Sequence, residues 1–354
     1  MNALERVFNA FELKKVDRVP VIPQLTYAAA LWINWNLNDC IDNVERQFDA
    51  LINAYKDCKH DGIYAGWEGS FNLIAHAMGA EFKLSTDNPP SVGILPISNS
   101  EDLMALINKN RNKNKNGDIH FVNTEGIKTN IELIKKLKSA LDDVPILSYL
   151  PGPFTYVGVV IGVNKLLINV LRDPEFIKEA MEKFYEFILY VGVEKIRAGA
   201  DCITIADPSS SSTIISPKNF ENFGYPFLKR LISDLKGESK KLGKKEVKFG
   251  VHICGNTKPI LDLIEKMNLD FFELDSLVPI SEAREIMKNT CIIGNISPAD
   301  LMQKHSSVLM DSYKECLNEL KGRGHILSSG CEIAYGTPLE NIKKMVLASN
   351  NYKI

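Results

Sequence analysis

The feature that most constrains the fold of this chain is a repeated alternation of short apolar runs with longer amphipathic stretches. Eight runs rich in β-branched residues occur, at residues 19–23, 62–67, 145–150, 202–207, 247–254, 270–275, 291–296 and 325–331. Strand-like runs that alternate with helix-like stretches are typical of βα units around a parallel sheet. Eight such units within 354 residues favour an α/β fold of the closed (β/α)8 type, the TIM barrel, over an open doubly wound sheet.

We predict a single domain over residues 1–354, since nothing marks a linker between independent units. A helical extension precedes the first strand, because MNALERVFNAF has apolar residues at helical spacing. An insertion separates the second strand from the third and contains NKNRNKNKNGD at 108–118. The charges of this tract predict a solvated surface loop and not a binding site.

Four helices have an explicit start signal, a capping residue followed by proline at the first helical position. These signals are Asp173-Pro174, Ser216-Pro217, Ser297-Pro298 and Thr337-Pro338. Thr337 and Glu340 also have the spacing of a capping box, in which each side chain satisfies an otherwise unpaired backbone N–H. The helix begun by Ser216 has an apolar stripe suited to packing on a sheet, made of Phe220, Phe223, Phe227, Leu231 and Leu235.

Composition excludes several classes of partner. The 42 Lys and Arg residues nearly balance 44 Asp and Glu residues, which leaves a net charge of −2 and no field to collect nucleic acid or an anionic membrane. No apolar run reaches the roughly 18 residues of a membrane span, and the N-terminus does not read as a secretory signal. Seven cysteines, an odd number scattered along the chain, predict a reducing cytoplasm with thiols available for metal binding or chemistry.

One group of residues has the character of a catalytic metal site. His252 and Cys254 are two apart at the end of the fifth strand, so their side chains point the same way. Cys331 ends the eighth strand, which places it on the carboxyl rim where barrel enzymes hold their reactive groups. An imidazole and two thiolates suit zinc, and three protein ligands with one exchangeable position indicate catalysis.

Polar residues at other strand ends are further candidates. We expect Glu273 to be a displaceable fourth ligand and Asp275 to orient the substrate or a ligand, although these two roles remain interchangeable at this stage. Asp207 either hydrogen-bonds a ligand or His252, or simply begins a turn with Pro208. Asn295 is either a polar rim residue that contacts a cofactor or a turn residue.

Each metal ligand also has a plainer interpretation. A buried cysteine behaves as a small hydrophobic residue, and a single histidine is commonly a hydrogen-bonded core residue. The zinc hypothesis depends on His252, Cys254 and Cys331 meeting at one rim.

At these residues the chain resembles the uroporphyrinogen decarboxylase superfamily, and within it the zinc-dependent methylcobamide:coenzyme M methyltransferases. The resemblance covers nearly the whole chain, and its most specific segments are VHICGNTKPILDLI and LSSGCEIAYGTPLENIKKMV. It implies that His252, Cys254 and Cys331 bind zinc. Asp275 matches the aspartate that usually follows the sixth strand, whereas Glu273 as a ligand rests on analogy with related zinc thiol methyltransferases.

The resemblance also implies a reaction and its partners. Zinc would deprotonate a bound thiol such as coenzyme M, whose sulfur then attacks the methyl group of a methylcorrinoid such as methylcobalamin. The chain has no DxHxxG-type cobalamin signature, so the corrinoid is expected on a separate protein. The PSSSST stretch and the Asn/Lys insertion depart from the family pattern, which leaves the thiol open.

Three competing functions remain at this point. An epoxyalkane:coenzyme M transferase-like enzyme would use the same zinc thiolate to open an epoxide. A uroporphyrinogen decarboxylase-like enzyme would need arginines after the first strand, where PQLTYAAALWINW has none. A noncatalytic corrinoid-protein-binding barrel would keep zinc for structure alone.

Overall fold

The computed structural model describes residues 1–354 except 41–42, 67–74, 84–90, 114–118, 122–124 and 245. Its strands are β1 (Ile63–Tyr64), β2 (Phe82–Lys83), β3 (Ser91–Val92), β4 (Arg111–Lys113), β5 (Ile119–Phe121), β6 (Ile146–Pro151), β7 (Cys202–Ala206), β8 (Lys248–Ile253), β9 (Phe271–Leu274), β10 (Cys291–Ile296) and β11 (His325–Ser329).

The α-helices are α1 (Ala3–Phe11), α2 (Ala28–Leu31), α3 (Val44–Cys58), α4 (Ser100–Asn110), α5 (Glu125–Ala140), α6 (Pro153–Ile161), α7 (Val163–Arg172), α8 (Pro174–Ala198), α9 (Pro217–Asn219), α10 (Tyr225–Lys241), α11 (Leu261–Glu265), α12 (Ile280–Ile286), α13 (Pro298–Gln303), α14 (Ser306–Leu320) and α15 (Leu339–Asn351). Short 3-10 turns span Leu37–Asp39, Pro208–Ser210 and Lys258–Ile260, and a π-helical turn spans Phe220–Gly224.

A parallel sheet forms the centre of the molecule, in the order β1-β6-β7-β8-β9-β10-β11. Apart from β2–β5, which form two separate pairs, each strand lies beside the next strand in the chain. Helices connect the strands of the central sheet, as the α/β barrel prediction requires. The prediction of an α/β barrel is therefore confirmed, as is the insertion between the second and third predicted strands. The barrel is only partly closed.

The open seam lies at the first predicted strand. Residues 19–23 form no extended strand, and only Val21 makes a parallel bridge, to Leu327 of β11. The Ile22 N–H donates to the Leu327 carbonyl and the Asp61 N–H donates to the Val21 carbonyl, so this segment occupies the gap between β11 and β1. Pro20 and Pro23 lack the N–H donors that a longer ladder needs, which explains why the predicted strand is so short.

The insertion contains more regular structure than its composition suggests. Residues 108–110 end α4, and β4 pairs antiparallel with β5. The loop predicted over 108–118 is therefore wrong for its first six residues. Hydrogen bonds within α4 and between β4 and β5 pair the backbone groups there despite the polar composition. Residues 114–118 of the same tract lie outside the described residues.

Three of the four predicted helix starts are confirmed. The side chains of Asp173, Ser216 and Ser297 each accept the backbone N–H three residues later. The capping box at Thr337 is wrong, because α15 starts at Leu339 and its cap residue, Pro338, makes no side-chain bond.

The helix begun by Ser216 also departs from its predicted stripe. The π-helical turn at Phe220–Gly224 shifts the following residues by one position. Leu228 is consequently fully buried, whereas Phe227 is only half-buried.

The N-terminal extension closes the amino end of the barrel. Val7, Ala10 and Phe11 of α1 belong to a buried cluster that includes the first residues of β7, β9 and β10. The Phe11 ring stacks on the ring of Phe271, the first residue of β9, with centroids 4.9 Å apart. A Cβ at Gly250 would lie 2.2 Å from the same Phe271 ring, so the barrel needs glycine at this place.

No single helix among the described residues is long and apolar enough to cross a membrane. Helices α6 and α7 pass that test of length and composition only as a pair, and the two are bent by 114°.

Candidate metal centre

Three potential metal ligands meet at the carboxyl end of the sheet. His252 lies on β8, Cys254 follows that strand, and Cys331 lies two residues beyond the last residue of β11. The Nε2 atom of His252 is 3.0 Å from the Cys254 sulfur, which is 3.5 Å from the Cys331 sulfur. Among the described residues these form the one group of at least three His, Cys, Asp or Glu side chains whose donor atoms lie within 4.8 Å of one another.

Two glycines let the backbone bring these ligands together. Gly255 has a φ of +83°, a left-handed conformation that turns the chain away directly after Cys254. A Cβ at Gly330 would lie 2.5 Å from the backbone nitrogen of Ser276, so only glycine allows the segment before Cys331 to approach the loop after β9.

The three donors perturb one another's pKa. Hydrogen bonds from Cys254 and His252 lower the pKa of the Cys331 thiol, against the effect of burial. Burial disfavours a charge on His252, but its contacts with Cys331 raise the pKa of the imidazole to about 9. The pKa of Cys254 is raised, first by its hydrogen bond with Cys331 and then by burial.

A divalent cation bound here would displace the protons held by His252 and Cys254, because a ligating imidazole is neutral and a ligating cysteine is a thiolate. The donor set of one imidazole and two sulfurs fits zinc, and the two cysteines are free thiols that are half-buried and accessible from the mouth. A metal ion there would leave a coordination position open toward the cavity, since the residues present supply three donors.

Glu273 lies behind the histidine, at the partner position of His252 in the register of β8 and β9. Its Oε2 atom is 3.5 Å from Nδ1 of His252, a buried nitrogen that makes no hydrogen bond. The hydroxyls of Tyr64, Thr204 and Tyr149 donate to this carboxylate at 2.7, 2.6 and 3.3 Å. Burial raises the pKa of Glu273, while His252 and the three hydroxyls oppose that rise.

Asp275 holds the loop that follows Cys254. Its Oδ2 atom accepts the Gly255 N–H at 2.8 Å, and its Oδ1 atom accepts the Leu277 N–H at 2.9 Å. The carboxylate thus ties the end of β8 to the end of β9, and its part in the reaction stays a prediction.

Asp207 and Asn295 also bond to backbone. Asp207 is fully buried and accepts the Thr155 N–H at 2.7 Å and the Ser210 hydroxyl at 2.7 Å. Burial raises the pKa of Asp207 to about 6, against these hydrogen bonds. Asn295 donates to the carbonyls of Asp275 and Val278 at 3.0 and 2.7 Å. The structure thus shows loop-holding contacts for both, and a direct role in catalysis or cofactor binding stays a prediction.

A cavity of about 90 Å³ opens beside the three donors. Its other walls are Gln24, Thr26, Tyr149, Ala206, Pro208 and Glu332. Burial raises the pKa of Glu332 to about 8, and the Thr26 hydroxyl donates a short hydrogen bond to it. Gln24, Thr26 and Glu332 were not predicted from the sequence, although the first two are spaced two apart after the first predicted strand and the third follows Cys331.

Fold and site together define a barrel enzyme with a His/Cys/Cys group at its mouth. The chain belongs to the uroporphyrinogen decarboxylase (URO-D) family, whose model matches residues 2–352. It is 28% identical to a methylcobamide:CoM methyltransferase of Methanosarcina acetivorans over 366 aligned positions, which cover 99% of this chain and 98% of the relative.

Two further relatives differ in name and coverage. A methylated-thiol–coenzyme M methyltransferase of Methanosarcina mazei is 30% identical over 218 residues, which are 61% of this chain and 56% of that protein. A uroporphyrinogen decarboxylase of Thermodesulfovibrio yellowstonii is 27% identical over 78% of this chain and 76% of that protein.

Solved structures support the fold. A methyltransferase from Methanosarcina mazei superimposes with a TM-score of 0.80 at 22% identity, covering 99% of this chain and 98% of its own. A B12-independent methionine synthase from Shewanella sp. W3-18-1 superimposes with a TM-score of 0.60 at 15% identity, covering 94% and 96%.

Proposed function

We propose that this methyltransferase moves a methyl group from a methylated corrinoid, carried by a separate protein, to the sulfur of a small thiol, with zinc held by His252, Cys254 and Cys331. The observation that carries the proposal is the convergence of one imidazole and two cysteine sulfurs at the barrel mouth. The relative that matches over nearly its whole length is named for transfer between a methylcobamide and coenzyme M, which supports the same reaction type here.

Zinc in this position would lower the pKa of an incoming thiol and hold it as the thiolate, the nucleophilic form. The residues of the chain provide the rest. His252 is held between the Cys254 sulfur on one side and Glu273 on the other. A carboxylate behind a metal-binding histidine fixes the ring orientation, and this is the role that we assign to Glu273. Coordination by Glu273, the expectation from sequence, stays a prediction.

The size of the cavity indicates which of the two substrates can enter it. A cavity of about 90 Å³ holds only a few water molecules, which suits a small thiol and is too small for a corrinoid. We therefore place the methyl donor outside the mouth, on a partner protein that presents its cobalt-bound methyl group toward the thiol. The free state of all seven cysteines is compatible with the cytoplasmic location that we propose.

The proposal is tested with Cys254→Ser and Cys331→Ser. Each variant should lose stoichiometric zinc and transfer from methylcobalamin to thiols, with little change in the thermal unfolding midpoint. Cys58→Ser is the matched control, because Cys58 is a buried cysteine on α3 outside the metal group. It should keep both zinc and activity.

Other outcomes would favour the competing functions. Retained transfer in both metal-site variants contradicts the proposal. A structural zinc site would be favoured if the two variants lost much of their stability and the wild-type protein transferred no methyl group. Product formation from epoxypropane and a thiol, with methylcobalamin inactive, would favour thioether synthesis.

A further inference from the structure

The walls of the cavity present hydrogen-bond acceptors to a ligand, because their donors are already engaged. The single proton of the Tyr149 hydroxyl is shared between two acceptors, Gln24 Oε1 at 3.0 Å and Glu273 Oε2 at 3.3 Å. The amide nitrogen of Gln24 donates to the Ser329 carbonyl at 3.3 Å, and the Thr26 hydroxyl donates to Glu332. A carboxyl group has several acceptor lone pairs in either protonation state, so Glu332 can accept a hydrogen bond from the ligand besides that from Thr26.

The described walls of the cavity also offer no lysine or arginine side chain to pair with an anionic tail. Glu332 supplies no positive charge whether protonated or ionised. Burying a sulfonate or carboxylate away from water requires a paired cation or several donors, and proteins use arginine or lysine for this.

The loops around the mouth show the same deficit in sequence. Residues 24–36, 65–66, 152–162, 207–216, 275–279 and 330–338 contain no lysine or arginine. Lys258 and Lys304, which follow β8 and β10, are paired with Glu282 and Asp300 at 2.7 Å each. Both lysine side chains are about half exposed, so their charges are directed to solvent.

We propose that the methyl acceptor of this enzyme is a small thiol with a neutral or cationic tail that donates hydrogen bonds, such as a hydroxyl or an ammonium group, and that Glu332 selects against anionic thiols. This inference rests on the proposed function, because it concerns the thiol of the same reaction. Coenzyme M, whose tail is a sulfonate, is then a poor acceptor here.

The chemical step is the same for every thiol tested. The sulfur of the thiolate forms a bond to the methyl carbon, and the carbon–cobalt bond breaks with both electrons left on cobalt. The thiol proton is released to solvent when the thiolate forms. Only the tail group differs, so rates report recognition by the cavity.

A matched series of thiols tests the inference. Cysteamine, 2-mercaptoethanol and coenzyme M share the HS–CH₂–CH₂ unit and end in an ammonium, a hydroxyl and a sulfonate. With zinc-loaded protein and methylcobalamin, we expect kcat/KM for the first two to exceed that for coenzyme M by about tenfold or more, since misplacing one charge costs at least that factor. Equal or faster transfer to coenzyme M overturns the inference and leaves the proposed function intact.

Binding gives a readout that does not depend on turnover. Calorimetry with the methylated products should show tighter binding of 2-(methylthio)ethylamine than of 2-(methylthio)ethanesulfonate. Tighter binding of the sulfonate overturns the inference. If no thiol accepts the methyl group, the proposed function fails, while the binding experiment still decides the inference.

Variants assign the selectivity to one side chain. Glu332→Lys should shift the ratio of kcat/KM for coenzyme M over cysteamine upward by about tenfold or more. If the lysine variant does not fold, Glu332→Gln replaces it in the test, because it keeps the shape of the side chain. It should weaken binding of the ammonium product. Glu132→Gln removes an exposed carboxylate on α5, outside the cavity, and should leave the ratio unchanged. An unchanged ratio or affinity in a folded Glu332 variant contradicts the role of this residue.

Discussion

Replacing Gly330 by alanine tests whether close backbone packing positions Cys331. The added Cβ would lie 2.5 Å from the backbone nitrogen of Ser276 and 3.2 Å from the carbonyl carbon of Asp275. Real Cβ atoms essentially never approach closer than 3.0 Å, so one segment must move by about half an ångström. Neither neighbour is a flexible side chain that can rotate away. The strain must therefore displace either Cys331 or the loop that contains Asp275.

The expected cost follows from this overlap. Overpacking of this kind lowers the free energy of unfolding by about 1–3 kcal/mol. Metal sites are sensitive to shifts of about half an ångström, and weakened support of a ligand lowers metal affinity about 10–100-fold. Urea unfolding of the metal-free protein measures the first effect, and competition with a zinc chelator measures the second.

Gly237→Ala is the control for this experiment. Gly237 lies inside α10, and nothing lies within 4 Å of a Cβ placed there. Alanine should stabilise the helix by about 0.5–1 kcal/mol and leave zinc affinity unchanged. If Gly330→Ala unfolds at the wild-type urea concentration and binds zinc as tightly, the close approach does not position Cys331.

Three further perturbations have distinct expected results. Asp275→Asn should weaken zinc binding about tenfold in a chelator competition, because the loop that starts at Gly255 loses a carboxylate acceptor; unchanged affinity would refute this role. Burial lowers the pKa of His60 and of His325 to about 4, so both are neutral in the fold and their contribution to stability is complete above pH 6.5. As the pH falls from 6.5 to 4, the free energy of unfolding should decrease by up to about 3 kcal/mol per histidine. Glutamine in place of either histidine should make this decrease smaller when unfolding is measured against pH. Phe271→Ala should cost about 3–5 kcal/mol of unfolding free energy, and a cost below 1 kcal/mol would show that the amino end of the barrel is loosely packed.

The meeting of His252, Cys254 and Cys331 could be predicted from the sequence because it depends on local rules. Side chains two apart on a strand point the same way, which brings His252 and Cys254 to one face. The carboxyl ends of parallel barrel strands meet at one rim, which adds Cys331. These rules need only strand positions, and the predicted ranges for β8 and β11 contain the observed strands.

The hydroxyls that surround Glu273 could not be predicted in the same way. Tyr64, Tyr149 and Thr204 come from β1, β6 and β7, and the register of three separate strands decides whether they meet one carboxylate. Periodicity along one strand contains no information about that register.

Two errors in the fold prediction have local causes. The segment around Val21 is apolar and β-branched like a strand, but its flanking prolines restrict it to a single bridge. The apolar stripe through Phe227 assumed a uniform helical period, which the π-helical turn at Phe220–Gly224 interrupts. The assignment of residues 1–354 to a single domain stays a prediction.

Packing of α1 against the first residues of the strands has a kinetic consequence. Within the described residues, Phe11 and Phe271 obstruct passage through that side of the barrel, so a small molecule in the cavity has its exit on the opposite side. A large protein seated over that exit would retain the thioether product until it dissociates. Steady-state turnover would then be limited by how long the two proteins stay associated, and higher solvent viscosity should slow it.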